Sequence, residues 1–197
     1  TVTVESDIHE EDGYIWYEDF SARDEVPSYL HIDKADGDSA TITEEGLAIT
    51  TGSTSGRKVF VEHTFDAALT GTVRVEAKIK FTDAQAFHNI LFFMTESGET
   101  AAAIAVNAGE YHNRTAAGKW GNKLFDCPAG AWQEIELILH TDTGKLDLYV
   151  GEQSVKDLPF CDGGDKKDQI KRFRTGGDKE NIGMVVEYFK IGNVTAP

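Results

Sequence analysis

The sequence predicts an all-β domain, a two-sheet antiparallel β-sandwich, and three observations predict it. Apolar and polar residues alternate with period two through most of the chain, the pattern of strands with one face buried and one solvated. Turn residues, glycine foremost among them, break the alternation at short intervals. Helical periodicity is nearly absent, and roughly eleven to fourteen short strands without helices between them pack as two facing sheets.

Taken in order, Tyr14-Ile15-Trp16-Tyr17-Glu18-Asp19-Phe20 opens the pattern, and short strands follow at 40–43 and 47–50. Residues 58–65 form a longer strand. In the next, 73–81, Val73, Val75, Ala77, Ile79 and Phe81 share one face while Arg74, Glu76, Lys78 and Lys80 share the other, so this strand is half buried. Residues 88–94 are apolar almost throughout, as a strand covered on both sides requires. Residues 101–106 suit its neighbour, although their alanine content also suits a short helix. Residues 132–140 alternate, Asp142-Thr143-Gly144 turns the chain, and 145–150 alternate back as the clearest hairpin. Residues 183–194 supply a final strand. Helix is expected only as about two turns over 166–173. No repeat of about 20 to 50 residues is present, and no linker divides the chain, so 1–197 reads as a single domain.

Charge narrows the partners. Lys and Arg number 19 against 34 Asp and Glu, a net charge of −15, so nucleic acid and anionic membranes are disfavoured. No run of about 18 apolar residues could cross a membrane. Thr1-Val2-Thr3-Val4-Glu5 lacks the basic-then-apolar plan of a signal peptide, and the chain is expected to be a mature or excised piece. Cys127 and Cys161 each lie beside a turn. A disulfide between them and two buried thiols are both open readings.

Three segments carry a resemblance to a known superfamily. They are Trp16-Tyr17-Glu18-Asp19-Phe20; the crossing strand 71–81; and Gly130-Ala131-Trp132 with the hairpin through Asp142-Thr143-Gly144 to Tyr149-Val150-Gly151. In order and type they resemble the concanavalin A-like jelly roll, especially the laminin G-like modules of bacterial polysaccharide-degrading and surface proteins. The resemblance implies a secreted or cell-surface, lectin-like module that recognises a polysaccharide or oligosaccharide, cut from a larger extracellular protein. Many such modules carry Asp-Asn in the last strand, where Gly192-Asn193-Val194 here lacks the Asp.

Two enzymatic readings compete with that module. Laminarinase-like hydrolases place carboxylates as E-x-D-x-x-E on one strand, and this motif is absent; Glu134 and Glu136 read as an outward polar face. Tyr188-Phe189-Lys190-Ile191-Gly192 resembles the Y-F-K-x-G stretch of alginate lyases, which cleave uronate glycans by β-elimination. That resemblance would give His88, Tyr188 and Lys190 catalytic roles, but the companion R-T-E-L-R and Q-I-H motifs are missing. A third reading is an adhesive module that binds protein.

For a glycan, the expected surface is a polar loop holding Tyr111, His112, Asn113, Arg114, Lys119, Trp120 and Lys123. Aromatic rings stack on sugar faces, and Arg, Asn, His and Lys hydrogen-bond hydroxyls or pair with a uronate. Turn carboxylates suggest one structural calcium, with Glu18 and Asp19, with Asp33, Asp36 and Asp38, and with Asp162, Asp165 and Asp168 as alternative ligand groups. Zinc is not expected, since His9-Glu10-Glu11-Asp12 stops short of H-E-x-x-H. Asn113-Arg114-Thr115 and Asn193-Val194-Thr195 fit the N-glycosylation triplet.

Overall fold

The computed structural model of the chain describes residues 13–194. The amino-terminal readings above, and Thr195 of the second glycosylation triplet, lie outside the described residues. Within them, fifteen strands form β1 (Tyr14–Asp19), β2 (His31–Lys34), β3 (Ser39–Thr43), β4 (Gly46–Thr50), β5 (Val59–Thr64), β6 (Thr72–Phe81), β7 (His88–Thr95), β8 (Thr100–Asn107), β9 (Glu110–Ala116), β10 (Lys119–Trp120), β11 (Trp132–His140), β12 (Lys145–Val150), β13 (Gln153–Pro159), β14 (Ile170–Gly177) and β15 (Gly183–Asn193). They make two antiparallel sheets, and the sandwich expected from the alternation is the fold observed.

The eight-stranded sheet runs β13-β12-β11-β6-β15-β4-β3. β15 pairs with β6 along its length, and its other edge is shared between β4, through Gly183 to Val186, and β1, through Tyr188 to Gly192. The seven-stranded sheet runs β10-β9-β8-β7-β14-β5-β2.

The core lies between the sheets and follows from period two. Val73, Val75, Ala77, Ile79 and Phe81 of β6 meet Ile135, Leu137 and Leu139 of β11 within it, and Val61, Phe93, Ile104 and Phe173 approach from the other sheet. Each such side chain stabilises the fold by roughly 1.5–3 kcal/mol of transfer free energy. The opposite face of β6 carries a cross-strand charge ladder, with Arg74 2.6 Å from Glu136 and Lys78 2.6 Å from Glu187. Exposed pairs of this kind set register and solubility more than stability, at about 0–1 kcal/mol each.

Three local expectations are corrected. Residues 166–173 are not helical: a turn leads into β14, which pairs with both β7 and β5. Residues 101–106 belong to strand β8, because every one is buried and a central strand needs no polar face. The loop expected over 111–123 contains β9, a two-residue turn and β10, closed by Gly118 at φ 68°. Glycine is also required at Gly176 of β14, where φ is 128° and a β-carbon would sit 2.0 Å from the Val59 carbonyl oxygen. The cysteines are buried free thiols, not a disulfide, and burial pushes both up to about 11.

Candidate functional site

The two outer faces of the sandwich differ in chemistry. On the eight-stranded sheet Arg74 and Lys78 pair with carboxylates across strands, and Lys190 lies over the Tyr17 and Tyr188 rings. On the seven-stranded sheet, alternation sends Phe60 and Glu62 of β5, Arg172 and Arg174 of β14 and Arg114 of β9 outward, and an irregularity between Asn89 and Leu91 of β7 brings Asn89 to the same face as Phe92. Trp120 pairs with Arg114 across the β9–β10 hairpin. These side chains border a groove of about 330 Å³ lined by Phe87, Asn89, Phe92, Arg114, Trp120 and Arg174, with Gly118, Asp178 and Lys179 at its margins. That volume falls in the range of roughly 300–1,000 Å³ typical of small-ligand sites.

The floor is aromatic and the walls are cationic. Trp120 meets Phe87 edge-on at 5.1 Å and tilts against Phe92 at 6.0 Å. The Arg114 guanidinium lies 5.7 Å from the Phe92 ring centre and 5.9 Å from that of Trp120. Across the groove, Arg174 lies 3.9 Å over Phe60 and 5.9 Å from Phe92. These contacts are within cation–π range, which holds each guanidinium beside the rings. Arg114 donates to two neutral oxygens, the Ala116 carbonyl and the Thr100 hydroxyl, both at 3.3 Å. Arg172 donates to Glu62, while Arg174 stands 3.7 Å from the same carboxylate and its buried Nε–H has no hydrogen-bond partner among the described residues. Burial lowers the affinity of Arg174 for its proton, against the pull of Glu62.

Of the seven residues expected to touch a ligand, Arg114 and Trp120 line this groove. His112 and Lys123 are tied down nearby: His112 contacts the Gly121 carbonyl at 3.1 Å, and Lys123 pairs with Glu110 and Asp126. Lys119 is exposed at the hairpin end. Tyr111 and Asn113 are corrected, because they occupy the inward positions of β9 and are 0% and 3% exposed. The Tyr111 hydroxyl has no hydrogen-bond partner of good geometry among the described residues, although the Cys127 thiol approaches it; burial raises its pKa.

The lyase trio does not converge. His88 is 0% exposed, with Nδ1 at 2.8 Å from the Ala86 carbonyl and Nε2 accepting from the Gly183 amide at 3.1 Å. Both ring nitrogens are consumed by backbone, so this is a structural histidine. Tyr188 and Lys190 stand together on the other sheet, the ammonium 4.8 Å over the ring.

The acidic residues proposed for calcium are dispersed as well. Glu18, 1% exposed, accepts from Arg23 at 2.6 and 3.2 Å and from the Tyr29 hydroxyl. Asp19 caps Ser21, and Asp33 pairs with Lys58 at 2.7 Å. Asp38 accepts the amides of Gly52 and Lys58, and these bonds with Arg57 hold its carboxyl low against the raising effect of burial. Asp36 lends its carbonyl to Arg57. Among the described residues no three His, Cys, Asp or Glu side chains are grouped to hold a metal ion.

A second cavity, about 560 Å³, opens between the sheets where β1 faces β5, and Trp16, Glu18, Tyr29, His63 and Asp66 line it. Here Trp16 stacks on His63 at 4.4 Å and 9°. That ring face is therefore already covered.

No family model and no curated protein matches the sequence. Solved structures do match in fold. A sialidase superposes with TM-score 0.67 at 15% identity over 93% of this chain and 18% of its own. A carbohydrate esterase from Shiga toxin-encoding bacteriophage phi24B gives 0.65 at 11% identity, covering 92% of this chain and 99% of its own. A galectin of Caenorhabditis elegans gives 0.50 at 14%, covering 74% and 96%. The chain spans under a fifth of the sialidase it matches. At these identities the likeness establishes the jelly-roll fold alone.

Proposed function

We propose that this chain is a carbohydrate-binding module of an extracellular protein, and that its ligand surface is the groove on the outer face of the seven-stranded sheet. One observation carries the reading: an indole and a phenyl ring form a floor between two guanidiniums and an amide, supplied by β7, β9, β10 and β14. Aromatic faces take the C–H face of a pyranose, and the flanking donors take its oxygens. Strands hold these side chains more rigidly than loops would, so little ordering entropy is lost on binding. The names of the structural neighbours, a sialidase, a carbohydrate esterase and a galectin, favour a sugar over a protein ligand. The lyase reading has no such convergence of proton-transfer groups behind it.

The test is retention on an affinity gel of immobilised polysaccharide, comparing the wild-type domain with Trp120→Ala. Removing the indole is expected to weaken binding by about tenfold, from lost stacking of roughly 0.5–1.5 kcal/mol plus buried apolar area. Unchanged retention on a glycan that the wild type binds would remove the groove from consideration.

A further inference from the structure

We infer that the groove selects a carboxylated sugar, and that Arg114 is the residue that receives the carboxylate. The inference rests on the carbohydrate reading above and adds the ligand's charge to it. In a chain of net charge −15, an arginine without an acidic partner is conspicuous. Arg114 makes no ion pair among the described residues, and its two hydrogen bonds, both 3.3 Å, run to neutral oxygens. By contrast, Arg74, Lys78 and Lys80 on the opposite sheet each face a carboxylate, with Glu136, Glu187 and Glu45 as partners.

The lining is cationic in balance. Arg114, Arg174 and Lys179 stand against one carboxylate, Asp178. Of the other acids on this face, Glu62 accepts from Arg172 and lies beside Arg174, Glu110 pairs with Lys123, and Asp33 pairs with Lys58. The protein's overall negative charge opposes an anion only at long range, where salt screens it beyond about 8–10 Å. At contact distance the guanidinium decides.

The geometry also favours a carboxylate over a compact anion. The Arg114 guanidinium packs beside Phe92 and Trp120, and its planar fork matches the two oxygens of a carboxylate. A pyranose whose ring rests on Trp120 would bring a carboxylate attached to that ring within reach of that fork. Uronates and sialates share this chemistry.

The deciding experiment pairs each acidic ligand with its neutral counterpart. Titration calorimetry is run on the wild type and on Arg114→Gln with oligogalacturonate, its carboxyl-reduced form, sialyllactose and lactose. Loss of the charge-assisted bond should weaken binding about tenfold to a hundredfold. The acidic member of one pair should lose that factor on carboxyl removal, and which pair responds separates a uronate from a sialate. Arg114→Gln should lose the same factor on the acidic ligand and nothing further on the neutral one, a non-additivity that a merely structural role would not give.

Carboxyl reduction needs no protein variant, so misfolding of Arg114→Gln would not blunt the test. Equal binding of acidic and neutral partners overturns the inference and leaves the carbohydrate reading standing. Preference for a sulfated over a carboxylated glycan, tested with dextran sulfate, also overturns it. Binding to no glycan at all overturns both.

Discussion

Acid should destabilise this domain through His63, by an amount the structure sets. The ring is packed between Trp16, stacked at 4.4 Å, and Phe65, edge-on at 5.1 Å, with Tyr29 edge-on at 5.8 Å. Burial there depresses its pKa from 6.5 to about 4, against a small raising effect of Asp66. Between those values the unfolded chain carries a proton on His63 that the folded chain does not, so stability is full above about pH 6.5 and falls with acidification towards pH 4. At 1.36 kcal/mol per pKa unit the whole loss is roughly 3 kcal/mol; partial solvent access to the ring reduces this to about 2 kcal/mol. His88, also depressed by burial, acts with the same sign, so a reference variant is needed. His63→Phe keeps the aromatic packing and removes the titration. Urea unfolding at about pH 7 and about pH 4 should show the wild type losing about 2 kcal/mol more than His63→Phe over the interval. Equal losses in the two proteins would refute the assignment.

Glu18→Ala leaves Arg23 and Tyr29 without the carboxylate they share, and should cost about 2–3 kcal/mol in urea unfolding, the exposed part of Arg23 tempering the penalty for a broken buried pair. Gly176→Ala drives a β-carbon to 2.0 Å from the Val59 carbonyl in a backbone region that L-residues avoid; a loss of about 3 kcal/mol or more in thermal unfolding is expected, at the join of β14 and β5. Reductant should leave the melting temperature unchanged, since Cys127 and Cys161 are free, and a drop of several degrees would restore the disulfide.

Legibility followed the physics of alternation. Strand β6 was readable because every inward position is apolar and every outward one polar, and the β11–β12 hairpin because Ile135, Leu137, Leu139, Leu146, Leu148 and Val150 keep the inward alternation on both sides of the turn Asp142-Thr143-Gly144. β9 was hidden because Asn113 occupies an inward position and Arg114 an outward one, so the run reads as uniformly polar. β14 was hidden by Lys171, Arg172 and Arg174, whose density reads as a helix surface. Both arginines of the groove lie on those two strands, and its assembly depends on register between segments distant in sequence. One signal did point to it. The apolar run at 88–94 demanded a cover on both sides, and the outer cover of Phe92 includes the guanidiniums of Arg114 and Arg174.

That cover separates a binding surface from a soluble one. Both outer faces display cations, but Arg74, Lys78 and Lys80 are matched by carboxylates from neighbouring strands or loops, so a ligand there would have to displace partners already in place. Arg114 instead packs beside Phe92 and Trp120 with no acidic partner among the described residues, and Arg174, over Phe60 and 3.7 Å from Glu62, keeps an unpaired Nε–H. A guanidinium already packed against aromatic rings loses little conformational entropy when an oxygen arrives. A surface kept only for solubility gains nothing from leaving donors unmatched, whereas a preformed site does.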